Sequence, residues 1–178
     1  MFTNQKIAKF LIFLFCFSIF SSISQTNEDV PLNNIAINEI PKPISSLIFE
    51  DFSGNEINLN NYHGRLVIIN FWATWCAPCM KEMPSLDKLY QDNNFKNLQI
   101  FAVNMEQSNT LKTKKFFTDL NIQKLEIFFD PNLNFVKEFK LRGMPTTILI
   151  NKKGEEFARI IGETNFQNKK FVKWLSKY

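Results

Sequence analysis

A chain of 178 residues, 45% hydrophobic and 21% charged, has room for one globular domain with a real core plus a modest appendage. That composition argues against a multidomain assembly and against a disordered or collagen-like chain. The formal charge of +4 comes from 21 basic and 17 acidic residues with no basic block, which argues against a surface that tracks nucleic-acid phosphates.

In chain order, Lys6 and Lys9 precede an apolar run from Phe10 to Phe20, and Ser21, Ser22, Ile23 and Ser24 supply small residues for cleavage. This is the layout of a secretory signal over residues 1–24. Counted from Ile7 to Ile23, the run reaches the lower limit of a spanning helix, so a retained anchor is the alternative. Cys16 follows bulky Phe15 and reads as a passive hydrophobe. Residues 25–44, with Pro31, Pro41 and Pro43 and no clear periodicity, read as a spacer that would hold a domain off the membrane if the anchor stays.

The domain is expected over residues 45–178. Leu47 and Phe49, then Ile57 and Leu59, alternate around the turn-forming group Asp51-Phe52-Ser53-Gly54-Asn55 and predict an added N-terminal β-hairpin. Leu66 to Phe71 and Leu98 to Val103 are the continuous apolar runs of strands buried on both faces of a parallel sheet. Between them Cys79, Met83, Leu86 and Tyr90 recur at helical spacing, which makes one right-handed crossover unit with Pro84 inside its helix. A second helix is expected near Asn109 to Leu120, then a short strand at Ile127 to Phe129 ended by Asp130-Pro131. Thr146 to Ile150 and Glu155 to Ile161 flank Asn151-Lys152-Lys153-Gly154 as a hairpin. A last helix from about Asn165 buries Phe171, Val172, Leu175 and Tyr178. The order predicts an α/β fold, a central mixed sheet flanked by helices, with the 20 Phe filling its core.

The chemistry concentrates at Cys76-Ala77-Pro78-Cys79, where a buried strand gives way to a helix. A thiol at a helix N-terminus faces unpaired N–H groups and the positive end of the dipole, so its pKa falls below the free value of ~8.5. Cys76 is therefore the expected nucleophile. Cys79, one turn into the helix and less exposed, suits attack on a mixed disulfide. Pro78 stiffens the turn where an N–H would go unsatisfied anyway. Three other readings compete: a zinc site, for which only His63 remains as a further ligand; an inert structural disulfide, which over so short a loop adds little stability; and a one-cysteine peroxidase.

Trp75-Cys76-Ala77-Pro78-Cys79 after a hydrophobic strand, with Gly143-Met144-Pro145-Thr146 before a later one, resembles the thioredoxin superfamily. Phe71-Trp72-Ala73-Thr74 leading into that motif and Lys81-Glu82-Met83-Pro84-Ser85-Leu86 following it resemble its extracytoplasmic TlpA/ResA-like branch. The resemblance implies a thioredoxin-like fold and a secreted or membrane-tethered thiol–disulfide oxidoreductase, with no cofactor and no bound metal. Members of the branch often serve cytochrome c maturation or copper-centre assembly. It implies Cys76 as attacking and Cys79 as resolving cysteine, and Pro145 as a cis-proline facing the disulfide, with the backbone of Met144 pairing with the bound partner. It also implies that Glu82 influences the protonation of the cysteines, with a solvated helix glutamate as the alternative. Asn70 stands where cytoplasmic thioredoxins usually carry a buried aspartate, which leaves Glu82, water or the partner to accept the Cys79 proton. The expected partners are disulfide-containing extracytoplasmic proteins and a membrane thiol electron donor, and the expected activity is protein-disulfide reduction. A disulfide-donating oxidase and a copper-delivery module using both cysteines are the rivals.

Overall fold

The computed structural model describes residues 32–106 and 110–178. The signal or anchor expected over residues 1–24 lies outside the described residues, as does the first part of the expected spacer. Among the described residues, no helix is long and apolar enough to cross a membrane.

Eight strands form one mixed sheet: β1 (Ile35–Pro43), β2 (Ile48–Asp51), β3 (Glu56–Asn58), β4 (Leu66–Trp72), β5 (Leu98–Asn104), β6 (Ile127–Phe129), β7 (Thr146–Ile150) and β8 (Glu155–Ile161). Their order across the sheet is β1-β8-β7-β4-β5-β6-β2-β3. β4 pairs in parallel with β5 and β5 with β6, whereas β4–β7, β7–β8, β8–β1, β6–β2 and β2–β3 are antiparallel. Every residue of β4 is buried, as its unbroken apolar run requires of a strand with neighbours on both edges and packing on both faces.

Among the described residues four helices cover the sheet: α1 (Ala77–Tyr90), α2 (Thr110–Asp119), α3 (Asn134–Phe139) and α4 (Lys169–Leu175). On one face Cys79, Met83 and Leu86 of α1 join Phe116 and Phe117 of α2 and Phe171, Trp174 and Leu175 of α4 over Ile68 and Trp72. On the other, Phe49, Phe71, Phe101, Phe128, Phe135 and Phe139 make a second apolar layer. Most of its rings meet edge-on or tilted, Phe49 lying 4.9 Å from Phe101 and 5.0 Å from Phe135, while Phe135 and Phe139 stack, all within the range where aromatic pairs attract beyond simple burial. Helix α1 continues through Pro84 to Tyr90.

The spacer reading of residues 25–44 is corrected over Ile35–Pro43. These residues form β1, paired with β8 from Ile35↔Ile160 to Pro43↔Glu155, and Leu32 is already buried in the core. A register shift between Ile37 and Lys42 breaks the alternation that would have marked a strand. Pro41 and Pro43 are tolerated because β1 is at the sheet edge, where one row of backbone groups makes no ladder bonds. The domain therefore begins before Ser45. The hairpin of β2 and β3 is present and joins the sheet through β6. Helix α3 was not expected. The Asp130 carboxylate caps it, accepting the N–H groups of Asn134 and Phe135 at 2.8 Å.

Candidate active site

The two cysteines sit where β4 ends and α1 begins. Cys76 is the N-cap of α1, in an extended conformation at φ −84° and ψ 97°, and its Sγ accepts the Cys79 N–H at 3.3 Å. Ala77 opens the helix and Pro78 lies in its first turn, where the lost N–H has no helical partner to forgo. Cys76 and Cys79 are joined in a disulfide with Cα atoms 5.3 Å apart. Both residues are buried, but Cys76 keeps 4% of its surface exposed and Cys79 none, so of the two only Cys76 retains any surface at the end of the sheet. Trp75, 66% exposed, and Met80, 39% exposed, flank it with apolar surface.

Pro145 is buried and follows half-buried Met144 through a cis peptide bond at the start of β7. β4 and β7 run antiparallel with Phe71 opposite Thr146, which brings this loop to the same end of the sheet as the disulfide. Gly162, just past β8, donates its N–H to the Pro145 carbonyl at 2.9 Å, and exposed Ile161 lies opposite Thr146. His63 lies at the other end. Its ring packs on Gly154 in the hairpin beyond Ile150, and Ile150 is paired with Val67 at the start of β4.

Glu82 is not a solvated helix residue. It lies three positions after Cys79, on the same helical face, and is 2% exposed. Its Oε1 accepts the Asn70 amide at 2.8 Å and its Oε2 the Thr164 N–H at 3.0 Å. Burial pushes its carboxyl up to about 7; the Asn70 and Thr164 hydrogen bonds oppose that rise, and the nearby Glu163 charge adds to it. A carboxylate with that value takes and gives a proton near neutral pH. Asn70, fully buried on β4, also donates to the Thr147 hydroxyl at 2.9 Å, while its Oδ1 has no hydrogen-bond partner. The Ser85 hydroxyl donates to the Glu82 carbonyl and accepts the Phe166 N–H, fastening the loop after β8 over this part of α1.

Sequence reasoning singled out Asn70 and Glu82 but missed Thr147 and Thr164, which complete the polar cluster. It also missed Glu106, whose carboxylate holds the Thr74 backbone N–H and hydroxyl just ahead of Cys76. The parallel register offers the one signal for that contact, since Trp72 pairs with Asn104 and the chains run on together to Thr74 and Glu106.

The arrangement is a cysteine at a helix N-cap with a trace of exposed surface, a fully buried cysteine behind it, and a carboxyl near neutrality one turn further in. Such a set can pass two electrons by thiol–disulfide exchange. A family model described as AhpC/TSA matches residues 40–155. The thiol-disulfide oxidoreductase ResA of Halalkalibacterium halodurans is 37% identical over 110 residues, covering 62% of this chain and 61% of that protein. The protein of the same name from Bacillus thuringiensis subsp. konkukian is 32% identical over 136 residues, 76% of this chain and 78% of its own length. Among solved structures, StoA from Bacillus subtilis superposes with a TM-score of 0.62 at 25% identity, covering 75% of this chain and 99% of that one.

Proposed function

Because the chain belongs to the AhpC/TSA family and is a thioredoxin-like thiol–disulfide oxidoreductase, we propose that it works outside the cytoplasm as a reductant of protein disulfides. The observation that carries this direction is the buried carboxyl of Glu82, pushed up to about 7, one turn from Cys79. Its ionised form raises the cost of a further negative charge on the reduced pair. Ala77 and Pro78, with no histidine between the cysteines, add no side-chain donor to offset that cost. A destabilised dithiolate is a better electron donor.

In the proposed cycle the Cys76 thiolate attacks one sulfur of a substrate disulfide, forming a Cys76–substrate bond and expelling the other sulfur as a thiolate that takes up a proton. Glu82 accepts the Cys79 proton. The Cys79 thiolate then attacks the Cys76 sulfur, forms the Cys76–Cys79 disulfide and expels the second substrate sulfur as a thiolate, which takes up a proton as Glu82 gives its own back. Two electrons have moved to the substrate, and a membrane thiol donor must return them, because such compartments are otherwise oxidising. Exposed Trp75, Met80 and Ile161 offer apolar surface for the partner, and the Met144 backbone beside Pro145 pairs with it. Cytochrome c maturation or copper-centre assembly is the setting we assign to this activity, with the N-terminal segment serving as export signal or tether.

Equilibration of the cysteine pair against glutathione buffers tests the direction. The reading expects a potential more negative than about −180 mV. A clearly more oxidising value, with fast transfer of the disulfide to a reduced unfolded protein, would establish the oxidase instead.

A further inference from the structure

The segment Ala73–Trp75 joins β4 to α1 without belonging to either, yet it must deliver Cys76 to the N-cap in a fixed orientation. Within it the Cys76 N–H reaches only back to the Ala73 carbonyl, at 3.1 Å. The firmer hold comes from across the sheet end. Glu106, two residues past β5, accepts the Thr74 N–H and the Asn104 amide on Oε2, and on Oε1 the Thr74 hydroxyl at 2.9 Å and the Lys112 ammonium at 3.1 Å. Asn104, 1% exposed, steadies Glu106 in turn by accepting its backbone N–H at 2.8 Å, and the Met105 N–H donates to the Trp72 carbonyl at 2.9 Å. A carboxylate with 18% of its side chain exposed and this many donors aimed at it is fixed on both sides: by β5 behind it and by the active-site loop in front.

We propose that Glu106 is a positioning residue that, through Thr74, holds Cys76 in its N-cap geometry and so sets the acidity of the attacking thiol. The proposal rests on Cys76 being that thiol. A thiolate at an N-cap is stabilised only while its sulfur points at the first N–H groups of the helix. Here that contact is the Cys79 N–H at 3.3 Å, and it depends on the non-helical backbone of Cys76, two residues downstream of the clamp. Glu106 also carries charge, but Lys112 faces it, and charge alone acts with the opposite sign: removing a carboxylate near a thiol favours the thiolate. The two effects therefore separate by the direction in which the Cys76 titration moves.

The test measures the pH profile of Cys76 alkylation by iodoacetamide in the reduced full chain, with the thermal midpoint recorded alongside. Glu106→Ala is expected to raise the Cys76 pKa by about half to one unit, leaving about three- to tenfold less thiolate at a pH below it. Glu106→Gln is expected to lie between, because its amide oxygen still accepts one Thr74 donor. Thr74→Val removes only the hydroxyl contact, spares the charge and tests the same direction should the Glu106 variants unfold. A lower Cys76 pKa in Glu106→Ala would show that charge rather than position governs, and an unchanged profile with a lower midpoint would reduce the clamp to a structural contact. Either result overturns the proposal, while exchange surviving in Cys76→Ser would instead refute the assignment of the attacking thiol.

Discussion

Glu82→Gln removes the charge that the fold buries and keeps the shape. The carboxyl rises from 4.5 to about 7, and at 1.36 kcal/mol per unit the ionised form costs the folded state about 3 kcal/mol. The folded value lies above the unfolded one, so the cost is absent below about pH 4.5, grows as pH rises, and is complete above about 7. Glu82→Gln is thus expected to be as stable as the parent at pH 4.5 and more stable by up to about 3 kcal/mol at pH 8.5. Both oxygens of Glu82 accept N–H donors, so the new amide nitrogen needs an acceptor. Rotating the Asn70 amide supplies one in its Oδ1, which otherwise has no partner, and the Thr147 hydroxyl can then donate where it had accepted. Urea unfolding of the oxidised protein at the two pH values measures the difference. In the same variant, resolution of a mixed disulfide by Cys79 should slow about 100-fold above pH 7 and lose its rise near pH 7, the range expected when a general base is removed. Equal stability changes at both pH values would refute the buried-charge argument, and an unaltered pH profile of resolution would remove Glu82 from the proton path.

Asp87, 4% exposed, accepts the N–H groups of Gln123, Lys124 and Leu125, so Asp87→Ala should destabilise by about 3 kcal/mol with little change in the redox potential, read by urea unfolding and glutathione equilibration. Gly154 has φ +79°, and a Cβ there would run into the His63 ring, so Gly154→Ala should lower stability by more than about 1 kcal/mol. Combining it with His63→Ala should recover the steric part, measured as a double-mutant cycle of thermal midpoints.

The central strands were legible because they are buried on both faces, and a run as short, apolar and β-branched as Leu66–Trp72 favours a buried strand over a buried helix. Strand β1 was not, since two prolines and a register shift hid it and its pairing with β8 spans more than a hundred residues of chain. Helix α3 has six residues between Leu133 and Lys140, both left-handed, too short for Phe135 and Phe139 to make a period on their own. At the site, the cysteine pair was legible from local spacing. The burial of Glu82 was not, because a glutamate beside Lys81 on a helix is equally compatible with a solvated position; Asn70, 12 positions away, and Thr164, 82 away, enclose the carboxyl. Glu106 left no mark in the sequence, since its partner Thr74 becomes a neighbour only once β4 and β5 are in register.

The unequal positions of the two cysteines, Cys76 at the N-cap of α1 and Cys79 fully buried one turn in, make trapping the most direct measurement of the account. Reduced Cys79→Ser and Cys76→Ser are each mixed with a disulfide-bearing unfolded protein, and covalent adducts are counted by mass spectrometry after thiol blocking. The account predicts that Cys79→Ser accumulates a mixed disulfide through Cys76, because nothing remains to resolve it, and that Cys76→Ser forms none. Equal adducts in both variants, or adducts through Cys79 alone, would contradict it.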